Sequence, residues 1–174
     1  MRVRAGVAAV IGVAVGLGCL PAVAYADPPV PERCVTILVS GPTAGGAGRF
    51  SAAAVEDLTI SVLFRADVLH DRQLLALDLT TPKGFLYQTL TVPIAAPGSA
   101  PAERAIEGYP RPVLELAPRA TTVGAVPYQR VDVPFPVGGT MIVTGSLYGT
   151  WHVAPRLNGA SKPCAPATAF TIVQ

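Results

Sequence analysis

Histidine, cysteine and paired acids are sparse in this chain, so each can be weighed on its own. His70 stands in Asp67-Val68-Leu69-His70-Asp71-Arg72. Asp67, His70 and Asp71 offer an oxygen–nitrogen set for a divalent metal. The same run suits a polar turn between two strands, which is the expected reading. His152 falls opposite Trp151 on a regular strand and is expected at the surface. A serine nucleophile needs a base and an oxyanion hole. Ser146 and Ser161 lack a Gly-x-Ser-x-Gly signature. Glu56-Asp57 is the kind of acid pair glycosidic chemistry uses, but it reads as the solvated start of a strand. Gly45-Gly46-Ala47-Gly48 lacks the Lys-Ser/Thr and the helix of a phosphate loop, so a plain loop is expected. No residue earns a catalytic role, and no metal or cofactor is implied.

The cysteines point to structure rather than chemistry. Arg2 and Arg4 precede an apolar run from Ala5 to Leu20, and Ala24-Tyr25-Ala26 forms a small-x-small cleavage site. Residues 1–26 therefore read as a secretory signal peptide. An exported chain with Cys34 near its start and Cys164 near its end is expected to close one disulfide between them. That bond would close a loop of about 130 residues, worth roughly 5 kcal/mol by chain entropy and commonly 2–4 in practice. Zinc is disfavoured because neither cysteine has a second ligand at short spacing. A redox role would want Cys-x-x-Cys, which is missing. Cys19 raises lipidation as a rival address, but Gly16 holds the place where that signal wants Leu.

Aromatic residues are the remaining candidates. Exposed rings on a sheet face are the usual platform for sugars. Trp151 shares the apolar phase of Val153 and belongs in the core. Tyr148 is out of phase with Leu147 and, with Tyr87, is a candidate ligand contact. Phe85 and Tyr87 share the face opposite Leu86 and Leu90, which makes a second buried face or an aromatic patch.

The elements that must position these residues are strands. Residues 27–33 are a proline-rich lead-in that cannot be helical. Leu58, Ile60, Val62 and Phe64 alternate with Thr59, Ser61, Leu63 and Arg65, the pattern of a half-buried strand. Leu75, Leu77 and Leu79 form the next set, Thr81-Pro82-Lys83-Gly84 a turn, and Phe85 to Val92 a further strand. Residues 57–92 thus read as a three-stranded meander. Five prolines and two glycines make 93–112 a long connection, with room for a helical turn at Ala102 to Glu107. Val131, Val133, Phe135 and Val137 alternate with Pro134 and Pro136, which predicts an edge or bulged strand. Gly138-Gly139 turns the chain into a strand from Thr140 to Leu147, and Asn158-Gly159 is a hairpin-type turn signal. Eight or nine short strands and no amphipathic helix predict an all-β sandwich as a single domain over 34–174.

The closing stretch carries a resemblance. Gly149-Thr150-Trp151-His152-Val153, Leu157-Asn158-Gly159 and Phe170-Thr171-Ile172 resemble the last strands of bacterial secreted immunoglobulin-like domains, and Leu77 to Tyr87 is similar to an earlier hairpin of that kind. The resemblance implies an Ig-like antiparallel sandwich and an extracellular setting. It brings no functional residues, and the terminal cysteines depart from the antibody arrangement.

Charge narrows the partners. Arg2 and Arg4 supply the net charge of +2, and beyond residue 26 eleven basic residues balance eleven acidic ones. A neutral exported domain lacks the basic footprint that nucleic acid requires. No apolar run beyond residue 26 reaches the roughly 20 residues of a membrane helix. Scarce lysine and a lone Asn158 suit a GC-rich bacterial genome. The expected function is a non-catalytic binding or structural module of the envelope, periplasmic or extracellular, with a protein partner reached through the prolyl loop or a sheet edge. Polysaccharide binding is the alternative, supported by exposed aromatics on one sheet face and left without basis if Tyr148, Tyr87 and Trp151 are all fully buried. A small hydrolase is the third, needing a histidine beside a serine or carboxylate.

Overall fold

The computed structural model describes residues 34–44 and 46–174, with Cys34 and Val35 through their backbone. The expected signal peptide, Cys19, the proline-rich lead-in and Gly45 lie outside the described residues. In chain order the elements are β1 (Cys34–Ser40), β2 (Arg49–Ser51), β3 (Asp57–Arg65), β4 (Gln73–Thr80), β5 (Leu86–Ile94), β6 (Glu103–Arg104), β7 (Val113–Leu114), β8 (Arg119–Val123), β9 (Val126–Pro136), α1 (Met141–Thr144), β10 (Gly149–Leu157) and β11 (Thr168–Val173). The chain is all-β. One sheet has the order β1-β3-β9-β8 and a second β2-β11-β10-β4-β5, while β6 and β7 form a separate ribbon. Pairing between the named strands is antiparallel except where β2 runs parallel to β11. No helix among the described residues is long and apolar enough to cross a membrane.

Alternation puts one face of each sheet into a shared core. Leu58, Ile60, Val62 and Phe64 of β3 are fully buried, as are Leu75, Leu77 and Leu79 of β4. Phe135 of β9 lies 6.1 Å from Trp151 of β10 and 6.3 Å from Phe170 of β11, so the rings join the two sheets. Burying each such side chain is worth about 1.5–3 kcal/mol. Trp151 is fully buried, and its indole N–H donates to the Leu147 carbonyl at 3.0 Å. Without that acceptor the ring would bury an unsatisfied donor.

Several expectations need correction. Residues 57–92 are not a meander: β4 and β5 form the expected hairpin, but β3 belongs to the other sheet. Alternation shows that a strand has a buried face, not which sheet supplies it. The strand expected from Thr140 to Leu147 is instead α1, whose start is capped when the Thr140 hydroxyl accepts from the Ile142 N–H. The helical turn expected at Ala102 to Glu107 is partly strand β6, paired with β7. Strand β9 lies between β3 and β8, not at an edge. Its prolines still obey the rule, because β8 reaches only to Arg130 and leaves the outer side of Pro134 and Pro136 unpaired. Asn158 does not lead straight into β11. It has φ +51° and clips β10 to β4, donating to the Leu74 carbonyl at 2.8 Å and accepting from its N–H at 2.9 Å.

Candidate functional site

The residues singled out for chemistry stay apart. His70 and Asp71 are 3.7 Å apart in an exposed pair, while Asp67 turns to Arg65 at 3.1 Å. The described residues hold no group of three potential metal ligands. His152 is exposed, as are Ser146 and Ser161. Glu56 lines a hollow of about 510 Å³ with Ala52, Val55 and Gly138, but no second acid or base joins it there. Cys164 is buried and is not without a partner. The side chain of Cys34 lies outside the described residues.

The two tyrosines are half-buried and pack against the core. Tyr87 meets Trp151 edge-on, ring centroids 5.2 Å apart. The Tyr148 hydroxyl donates to the Val143 carbonyl at 3.4 Å. Phe85 does not share the setting of Tyr87, being 69% exposed. A register shift where β4 ends, between Leu79 and Thr80, breaks the alternation. Tyr87 and Leu90 consequently both pack on the core although their spacing puts them on opposite faces of a regular strand.

What the fold does present is the outer edge of β5. This strand ends the five-stranded sheet and carries no ionisable group except the Tyr87 phenol. Phe85 and Leu86, 69% and 62% exposed, stand at its head. Its far end is covered. The Pro93 carbonyl accepts from the Leu116 N–H at 2.8 Å, and the Thr91 N–H donates to the Tyr109 hydroxyl at 3.3 Å. Thr91 therefore points its backbone groups away from β4. In an antiparallel ladder that orientation repeats every second residue, so Thr89 points the same way. Its N–H and C=O meet no partner among the described residues. The Thr89 side chain faces β4 and donates to Asp78 at 2.7 Å.

Behind this edge the sheet is held by a charged clasp. Arg156 of β10 reaches both oxygens of Asp78 on β4, at 2.7 and 2.8 Å. The Arg156 hydrogen bond, aided by Thr89, holds the Asp78 carboxyl below its ordinary range despite partial burial. The other sheet has a counterpart at Asp132. Burial pushes that carboxyl up, but bonds from Ser61 and Arg130 and the nearby arginine charges outweigh it and leave it lowered.

Sequence alone shows the β5 edge only in part. A sheet edge was an expected docking route, but Phe85, Leu86 and Thr89 were not tied to it, because the order of strands is not written in local periodicity. No family model, curated protein or solved structure matches the chain.

Proposed function

We propose that the protein is a secreted, disulfide-closed, Ig-like sandwich that binds a protein partner of the bacterial envelope by adding a strand of that partner to β5. The strand orders β1-β3-β9-β8 and β2-β11-β10-β4-β5 support the fold reading, since they match Ig sheets ABED and GFCC′ with an extra first strand beside the last. Tyr148 supports it too. It precedes β10 and bonds to upstream backbone, as the tyrosine of the E–F corner does. The Cys34–Cys164 bond is supported by the bonding state of Cys164, which is that of a disulfide cysteine, and by contact between β1 and β11.

One observation carries the function: the head of an uncharged edge strand with the Thr89 N–H and C=O open beside exposed Phe85 and Leu86. Edges of this kind are normally blunted with charge, proline or a covering segment. Left open, they accept an extended segment through main-chain hydrogen bonds, with side chains supplying selectivity. The sugar-platform reading is less favoured, because Tyr87 is turned against Trp151 and the Tyr148 hydroxyl is engaged.

The test compares the purified protein with Leu86→Lys, Thr89→Pro and a control on the other edge, Thr122→Lys, in cross-linking capture from native envelope under non-reducing conditions. Thr89→Pro removes the outward N–H and the hydroxyl bond to Asp78, but no backbone bond to β4. Both β5 variants should lose the same cross-linked band, and the β8 control should keep it. Equal capture by all four proteins sinks the proposal, and retention on polysaccharide instead favours the sugar reading.

A further inference from the structure

The covered half of β5 deepens this reading and rests on it. Between the end of β5 and β8 the chain turns back as the β6–β7 ribbon, part of the proline-rich 93–112 connection and its sequel. Its root is tied firmly. The Glu115 side chain is only 1% exposed and meets the Arg72 guanidinium at 3.1 Å. The same carboxylate accepts from the Ala102 N–H at 3.2 Å, while the Glu115 N–H donates to the Ala102 carbonyl at 2.9 Å. Arg104 adds a bond from its guanidinium to the Gln73 carbonyl at 3.3 Å. A carboxylate buried this deeply is expensive to leave unpaired, so the root is hard to open. The contact farther out is lighter: a half-exposed Tyr109 whose hydroxyl meets the Thr91 N–H.

We infer that this ribbon is an edge guard and that Tyr109 is its stop, limiting strand addition to the Phe85–Leu90 half of β5. The outward backbone groups fall at Thr89, Thr91 and Pro93. Tyr109, between β6 and β7, takes the Thr91 N–H, and Leu116, just past β7, takes the Pro93 carbonyl, while the Thr89 groups stay open. A partner strand can pair around Thr89, with an apolar side chain against Leu86, but meets Tyr109 at the next outward position. The guard therefore limits pairing to a short stretch, and residues of a longer segment beyond it add nothing to binding. Glu115 acts as a positioning residue, holding the ribbon where Tyr109 can reach.

Two measurements test this. Residue-resolved amide exchange on the purified protein needs no partner. The Thr91 N–H should exchange about tenfold more slowly than the Thr89 N–H. Tyr109→Phe should bring Thr91 to the rate of Thr89, and Glu115→Gln should do the same from a distance. Core amides of Leu75 and Leu77 should stay slow in both variants and so report an intact fold. Equal Thr91 and Thr89 rates in the unaltered protein, or no change in Tyr109→Phe, overturn the guard. The second measurement titrates alternating Thr-Val peptides of five and nine residues. The unaltered protein should bind both equally, whereas Tyr109→Phe should bind the longer about tenfold more tightly through its added ladder bonds. Equal binding of the two lengths by Tyr109→Phe overturns the length limit. If neither peptide binds either protein, strand addition to β5 falls, while the guard still stands or falls on the exchange rates.

Discussion

Strands β8 and β5 both end a sheet, yet the chain treats them differently. Strand β8 is five residues long and begins with Arg119 directly opposite Arg130. Like charges across a pair cost stability, and a charged head deters a further strand. Strand β5 is nine residues long, has no charged side chain, and is shielded by a separate ribbon over only its far half. The first edge is short and carries a charge at its head. The second is closed by a structure that stops short, and a device that leaves half an edge bare is the feature that suggests use.

The largest effect should come from removing what lies behind β5. Trp151→Ala is expected to cost about 3–5 kcal/mol in urea unfolding, because it empties the site on which Tyr87, Phe135 and Phe170 converge. A loss below about 1 kcal/mol would show that β5 does not depend on that ring cluster. Gly149→Ala comes next, at about 1–3 kcal/mol in thermal melts. Gly149 has φ +133°, and an added Cβ would come within 3.0 Å of Pro82 in the turn that leads into β5. Leu86→Lys and Thr122→Lys place the same charge on the two edges. Each should shift stability by no more than about 0.5 kcal/mol. Only the first should reduce partner capture, and equal loss from both would erase the contrast between the edges.

Acid should touch both sheets. Folding lowers the carboxyls of Asp78 and Asp132 from an ordinary 3.8. Their contribution to stability is complete above the unfolded value and fades as pH falls through the lowered folded values. Asp78→Asn and Asp132→Asn should each cost under about 1 kcal/mol near neutrality and flatten the decline of stability below pH 4. A slope unchanged by Asp78→Asn would remove the clasp behind β5 as an electrostatic element.

Strand identity was readable wherever one face alone is buried. Leu58 to Phe64 and Leu75 to Leu79 announce themselves, and Trp151 follows the phase of Val153 into the core. Placement was not readable. Nothing local tells that the turn after β3 crosses to the other sheet while the turn after β4 folds straight back. The Thr140 cap was also obscured, since Met141 to Val143 are as apolar as a strand would be. At the candidate edge the register shift beside Thr80 defeats counting by twos. The sequence therefore groups Phe85 with Tyr87, although one is exposed and the other packs on the core.

The parallel pairing of β2 with β11 has a mechanical consequence. Arg49, Phe50 and Ser51 lie beside Thr171, Ile172 and Val173 with both strands running the same way. With the proposed Cys34–Cys164 bond intact, tension applied through the two ends of the chain passes from Cys34 to Cys164 and bypasses β2. With that bond reduced, the same tension pulls these strands past each other along their length. Their hydrogen bonds, including Thr171 N–H to the Gly48 carbonyl and Ala52 N–H to the Val173 carbonyl, are then strained together in shear instead of being unzipped singly. Phe50, buried 6.4 Å from the Phe170 ring, would have to leave the core for that slip to begin. A short clamp of this geometry resists a pull far better than its length suggests.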